Sequence, residues 1–238
     1  MSKLRLLLVT AGLSEPSTTA LLGKQLADAT QAALAAYEQG SELTHIPLRS
    51  LAQEISNHYL TGFPGPALAQ ALDQVREADA IIVVSPVFKA SYSGLFKSFW
   101  DLVEDGALAG KPLLLAASGG TARHSLVLET ALRPLFSYLK ALVAPTGVFA
   151  ATDDFGNTSL LSSRIVQAAE EFTQLLMGQQ GRRKLADQAN AGSFFGDLSQ
   201  AQQPDGSPQA YKGPGLSALK VTPFEELLRQ NSGPQVAS

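Results

Sequence analysis

One feature constrains this chain more than any other. Short apolar runs alternate with longer stretches whose apolar residues recur every three or four positions. Leu4–Thr10 is too apolar to have a wet face and reads as a buried strand. From Thr18 to about Tyr37, Leu21, Leu22, Leu26, Ala29 and Ala33 form a helical stripe rich in helix formers. Leu43–Leu48 reads as a second strand stopped by Pro47, and Pro66–Ala78 as a helix with Leu68, Leu72 and Val75 on one face. Ala80–Ser85 is a β-branched run bounded by charge and Pro86, the clearest strand of all. Ser93–Glu104 then reads as a helix, Pro112–Ala117 as a strand and Ser125–Leu139 as a helix. Ala141–Ala150 is strand-like and Leu160–Met177 is a last helix. Strands alternating with helices imply βαβ units, hence an α/β fold with a parallel sheet covered on both faces.

Composition removes several functions. Hydrophobic residues make up 45% of 238, enough for a buried core and too many for a disordered polymer. With a net charge of -3 and no basic run, a nucleic-acid footprint is not expected. The chain has no cysteine, which removes disulfides, thiolate metal sites and cysteine nucleophiles. Three scattered histidines (His45, His58 and His124) do not make a zinc cluster, and no metal site is expected. No apolar run reaches the roughly 18–20 residues that cross a bilayer. The basic start precedes only Leu6–Val9, short of the roughly 7–15 apolar residues of a signal peptide, so the expected location is cytoplasmic.

After Met177 the composition changes, with 9 of 17 glutamines in residues 178–238, several Pro and Gly, and no strand-like run. The division read from this is a domain over 1–177 and a Gln/Gly/Pro-rich C-terminal extension over 178–238. Phe194, Phe195, Tyr211, Leu216, Leu219, Phe224 and Leu227 are too many apolar side chains for a merely solvating tail. The extension is therefore expected to anchor on an apolar groove at or beside a subunit interface.

In an open parallel sheet, ligands bind at the carboxyl ends of the strands, where the strand order reverses. Three loops are placed there. The first carries Gly12 and the hydroxyls of Ser14, Ser17, Thr18 and Thr19 directly before a helix. A serine there can be a plain N-cap. Backbone N–H groups, hydroxyls and the positive end of the helix dipole together also suit a phosphate monoester. Neither a dinucleotide-binding fingerprint nor a P-loop is present. The second loop, Ser85 to Gly94, sets Phe88 and Tyr92 in a small polar turn, as a planar-ring site or as core caps. In it, Lys89 either sits over a bound ring, neutralises a ligand phosphate or is simply solvated. The third runs from Ala117 through Ser118, Gly119, Gly120 and Thr121 to His124. Its glycines allow close backbone approach or a sharp turn, and His124 is a ligand contact or structural.

The segments SEPSTT, SPVFKASYSGLFKSFWD and SGGTARHSLVLETALRPLF resemble those of the NADPH-dependent FMN reductase family, the alkanesulfonate-type flavin reductases. The resemblance covers about residues 3–176. It implies a flavodoxin-like, doubly wound five-stranded parallel sheet of order 2-1-3-4-5, FMN at the strand ends, reduction by NADPH or NADH, and a homodimer or homotetramer. It also implies that Ser17, Thr18 and Thr19 hold the FMN phosphate. Pro86, Val87, Phe88, Lys89, Ala90 and Ser91 would border the isoalloxazine, and Gly119, Gly120 and Thr121 its other edge. Many relatives carry an arginine in the phosphate loop, where this chain has Glu15 and no arginine.

Hydride transfer to a flavin is the cofactor's own chemistry, so no catalytic side chain is expected. The implied reaction is NAD(P)H:FMN oxidoreduction supplying reduced FMN to a partner monooxygenase. The alternative keeps FMN bound and reduces a quinone, azo compound or metal ion. The third reading is a flavodoxin-type electron carrier, although such carriers tend to be smaller and more acidic.

Overall fold

The computed structural model describes residues 3–156 and 158–191, with side chains for 3–156 and 159–181. Its elements follow the expected alternation. Strands β1 (Leu4–Thr10), β2 (Ser41–Pro47), β3 (Ala80–Phe88), β4 (Ser91–Tyr92), β5 (Pro112–Gly119), β6 (Leu142–Val143) and β7 (Val148–Ala151) form the sheet. Helices α1 (Thr18–Ala36), α2 (Leu48–Thr61), α3 (Pro66–Glu77), α4 (Gly94–Trp100), α5 (Arg133–Tyr138) and α6 (Thr158–Ala191) cover it. The path is β2-β1-β3-β5-β6, with β7 also paired to β5 and β4 to β3. All pairings are parallel except β3–β4, so the expected flavodoxin-like order is present.

Side-chain alternation along the strands builds two cores. Leu7, Val9, Ile81, Val83, Leu113 and Leu115 face one side, beneath α2, α3, α4 and α5. Leu6, Leu8, Ile82, Val84, Leu114 and Ala116 face the other, beneath α1 and α6. Because helices cover both faces, β1, β3 and β5 are mostly apolar rather than alternating with polar residues, Arg5, Thr10, Ser85 and Ser118 being the exceptions.

Four departures from the sequence reading have local causes. Helix α2 is absent from the sequence reading, which ends a strand at Leu48; its Leu48, Leu51 and Ile55 are buried at helical spacing. The stretch read as a strand over Ala141–Ala150 is two short strands. Pro145 lacks an N–H for the ladder, and Arg133 holds the break by donating to the carbonyls of Ala144 and Pro145 at 3.1 and 2.9 Å. The helix read over Ser125–Leu139 is a 3-10 turn (Ala122–His124), a π turn (Leu128–Leu132) and then α5. Pro134, at the start of α5, cannot donate back to the preceding turn, and the Arg133 N–H bonds the Leu128 carbonyl instead. Finally, α6 continues past Met177 to Ala191, because Gln, Arg, Lys, Leu and Ala there are good helix formers. The anchoring expected of Phe194 to Leu227 lies outside the described residues.

At the end of β3 the chain makes a two-residue hairpin turn into β4. Lys89 and Ala90 form it at φ 50° and 64°, with Phe88 paired to Ser91. A side chain in this left-handed region costs roughly 1–2 kcal/mol per residue, a cost that Asn-Gly avoids. The double variant Lys89→Asn, Ala90→Gly is expected to stabilise by about 1–2 kcal/mol, read from the denaturant midpoint at unchanged slope.

Candidate functional site

The loops after β1, β3 and β5 emerge on one rim of the sheet, as parallel pairing of these neighbours requires. The first folds tightly over Gly12: a Cβ there would fall 2.0 Å from Ser17 Oγ, so only glycine lets the chain pass. Its hydroxyls divide by role. Ser17 is the N-cap of α1, its Oγ accepting the Ala20 N–H at 3.1 Å. Thr19 is buried and hydrogen-bonded to Ser118 Oγ at 2.8 Å, which ties the first loop to the third. Ser14 and Thr18 remain solvent-facing.

Between the three loops lies a cavity of about 340 Å³, within the range of ligand clefts. It gathers nine of the residues expected from the sequence: Ser14, Thr18, Thr19, Pro86, Val87, Phe88, Ser118, Gly119 and Gly120. Gly12 and Ser17 line a neighbouring cavity on the β2 side of the loop. Lys89 and Ala90 form the hairpin tip and Ser91 the start of β4; none of the three is among the residues lining this cavity. Nor are Thr121, whose hydroxyl caps the 3-10 turn by accepting the Arg123 N–H, and the exposed His124 within that turn. The wall at Pro86 is fixed from below by buried Ser85, whose Oγ accepts the Ser93 N–H at 3.0 Å and donates to the Pro86 carbonyl at 2.9 Å.

Three lining residues were missed: Leu13, Thr152 and Phe155. The last two sit on a 3-10 turn (Thr152–Phe155) leaving β7, a strand end on the same rim. An aromatic in the polar run Thr152-Asp153-Asp154-Phe155-Gly156 was the available signal. Asp154 holds this turn in shape. Its carboxylate accepts the Ala151 N–H at 2.8 Å and pairs with Arg164 at 3.0 Å, while Arg164 also donates to the Phe149 carbonyl at 2.8 Å. Burial alone would raise the Asp154 pKa, but these donors outweigh it and hold the carboxyl below its ordinary value.

Among the described residues lining the cavity, none is ionisable. Among these residues the site therefore offers hydroxyls, backbone amides and apolar contact, and no side-chain acid or base to activate a hydroxyl. Such a lining fits a planar ring with a polar edge and a phosphate tail, and chemistry that the ligand itself carries.

The family model for NADPH-dependent FMN reductase matches residues 4–156. The chain belongs to this family. The FMN reductase (NADPH) of Pseudomonas aeruginosa is 38% identical over 190 residues, covering 78% of this chain and 99% of the relative. The NADH-dependent FMN reductase SfnE of Pseudomonas putida is 35% identical over 189 residues, covering 77% and 98%. Among solved structures, an oxidoreductase from Corynebacterium diphtheriae is 40% identical, with a TM-score of 0.72, covering 75% of this chain and 99% of that one. This FMN reductase is thus an oxidoreductase of FMN and a reduced nicotinamide nucleotide, NADPH or NADH. Among its described residues no helix is long and apolar enough to cross a membrane.

Proposed function

We propose that this reductase takes FMN into the cavity between the three loops, reduces it with NAD(P)H in the cytoplasm and passes reduced FMN to a partner monooxygenase. The observation that carries this reading is the cavity lining without an ionisable group. When bound, FMN accepts the hydride from the nicotinamide. Pro86, Val87 and Phe88 would border one edge of its ring, and Gly119 and Gly120 the other. Backbone N–H groups of the Gly119–Thr121 turn would face the ring edge where negative charge grows on reduction. Ser14, Thr18 and the amides at the start of α1 would take the phosphate end, with the positive end of the helix dipole behind them.

With no cation among the described residues lining the cavity, phosphate is held there without a salt bridge from them, which favours flavin that exchanges over flavin that stays. The protein is expected to purify nearly colourless, and added FMN should greatly raise NAD(P)H oxidation. A yellow protein that reduces a quinone without added flavin would overturn the proposal in favour of a bound-cofactor reductase. Exposed Leu60, Phe63 and Tyr138 provide apolar surface for the homodimer or homotetramer that the family resemblance implies.

Thr18→Ala tests the phosphate end more cleanly than Ser17→Ala or Thr19→Ala, because Ser17 also caps α1 and Thr19 also holds Ser118. Losing one charge-assisted hydrogen bond, roughly 1.5–3 kcal/mol, should weaken FMN about ten- to a hundredfold. Riboflavin, which lacks the phosphate, should bind as before. Equal losses for the two flavins would place the phosphate elsewhere.

A further inference from the structure

One wall of the flavin cavity is built unlike the others. Thr152 and Phe155 line the cavity from the four-residue 3-10 turn (Thr152–Phe155) between β7 and α6. A backbone bond from the Gly156 N–H to the Asp153 carbonyl at 3.1 Å closes the turn, while Thr152, Asp153 and Gly156 are exposed. Its hold on the core is the half-buried Phe155 side chain, packed on the α1–α6 side of the sheet. A short 3-10 turn, with poor hydrogen-bond geometry and exposed backbone, is soft when left to itself.

Two charged side chains stiffen it, and neither lines the cavity. Asp154 Oδ2 accepts the Ala151 N–H at 2.8 Å, which ties the turn back to the strand it leaves. Arg164, in the second turn of α6, places Nη2 3.0 Å from Asp154 Oδ1. Its Nη1 donates to the Phe149 carbonyl at 2.8 Å and its Nε to the Leu160 carbonyl at 3.4 Å. One guanidinium thus joins the end of β7, the turn and the start of α6. At 28% and 41% side-chain exposure a lone ion pair would contribute little, but here each partner also holds backbone groups. The anchor extends to the third loop as well. The Phe149 ring lies against Gly119, where a Cβ would fall 3.0 Å from Phe149 Cζ.

We propose that Asp154 and Arg164 are positioning residues for flavin binding, holding Phe155 in place as an apolar wall against the bound flavin. They act through Phe155 rather than on the ligand. A wall fixed in advance spares the affinity the cost of ordering it when the flavin arrives. Arginine suits the task because its planar fork serves a carboxylate and carbonyls at once. The inference rests on the reading that FMN occupies this cavity, and its test is a binding measurement that requires no turnover.

The experiment is a double-substitution cycle, read by equilibrium titration of FMN into the full-length protein and its variants. Phe155→Ala is expected to weaken FMN about tenfold by removing the wall, and Asp154→Ala about fivefold by freeing it. In the Phe155→Ala background, Asp154→Ala should change the affinity by less than about twofold, because no wall is left to place. Losses that multiply would overturn the proposal, as would an Asp154→Ala protein within about twofold of wild type. Arg164→Gln breaks the same pair while sparing the Asp154–Ala151 bond, and repeats the cycle should Asp154→Ala fail to fold. Arg164→Lys, which keeps a charge facing Asp154, should bind FMN more tightly than Arg164→Gln; the reverse order would also overturn the proposal. A wild type that binds FMN as all its variants do would sink this inference alone, whereas a wild type that binds no FMN would sink the functional reading with it.

Discussion

Gly120→Leu is expected to remove flavin binding while leaving the protein folded. Gly120 lines the flavin cavity, and a Cβ built there meets no atom within 4 Å. The added side chain therefore intrudes on the space for the ligand rather than on the protein. FMN affinity should fall by at least about a hundredfold, equivalent to roughly 2.7 kcal/mol, as measured by flavin fluorescence titration. Stability should move by no more than about 0.5 kcal/mol, as for other surface changes. Gly12→Ala is the contrasting case, because its Cβ would strike Ser17 Oγ at 2.0 Å and disturb the loop itself. A folded Gly120→Leu protein with unaltered FMN affinity would show that the ring binds somewhere else.

Phe136→Ala should be among the most destabilising single changes. Phe136 is fully buried and meets the Trp100 ring edge-on at 4.9 Å and the Phe96 ring at 6.0 Å. Phe99 and Tyr92 extend the cluster through Trp100 and Phe96, at 5.3 and 5.8 Å. These rings join α4 to α5 beneath the β3–β4 hairpin, the element that carries one wall of the site. Truncating a buried phenylalanine costs about 3–5 kcal/mol through lost transfer energy and the cavity left behind. The two edge-to-face pairs, at roughly 0.5–1.5 kcal/mol each, are part of that loss. At about 2–4 °C per kcal/mol for a domain of this size, the melting temperature should fall by roughly 6–20 °C. Trp100, the only tryptophan, reports the transition by its own fluorescence. A loss under about 1 kcal/mol would mean that the neighbouring rings collapse into the gap.

Most of the fold was legible because its elements repeat apolar residues at short, regular spacing. The first strand was read at its observed bounds, Leu4–Thr10, and Ala80–Ser85 lies wholly within β3. Helix α2 carries the same kind of signal in Leu48, Leu51 and Ile55, although the sequence reading places Leu48 at the end of the strand before it. The π turn had no such signal. It depends on Pro134 lacking a donor and on Arg133 being committed to carbonyls in the Ala144–Pro145 break.

The candidate site divides along the same line. The sequence by itself determined which groups stand at the strand ends: hydroxyls before α1, an aromatic after β3 and glycines after β5. Tertiary structure decided what each of them does. Ser17 is spent on a helix cap, Thr19 is bonded to Ser118, 99 positions away, and Ser14 and Thr18 are left facing the cavity. Likewise Glu15, a carboxylate in the loop before α1, is paired with Arg49 from the first turn of α2. The physical reason is one of range. Burial follows a local period of two or 3.6 residues, which the chain writes along itself, whereas the partner of a polar side chain is whichever group the finished sheet brings within about 3 Å.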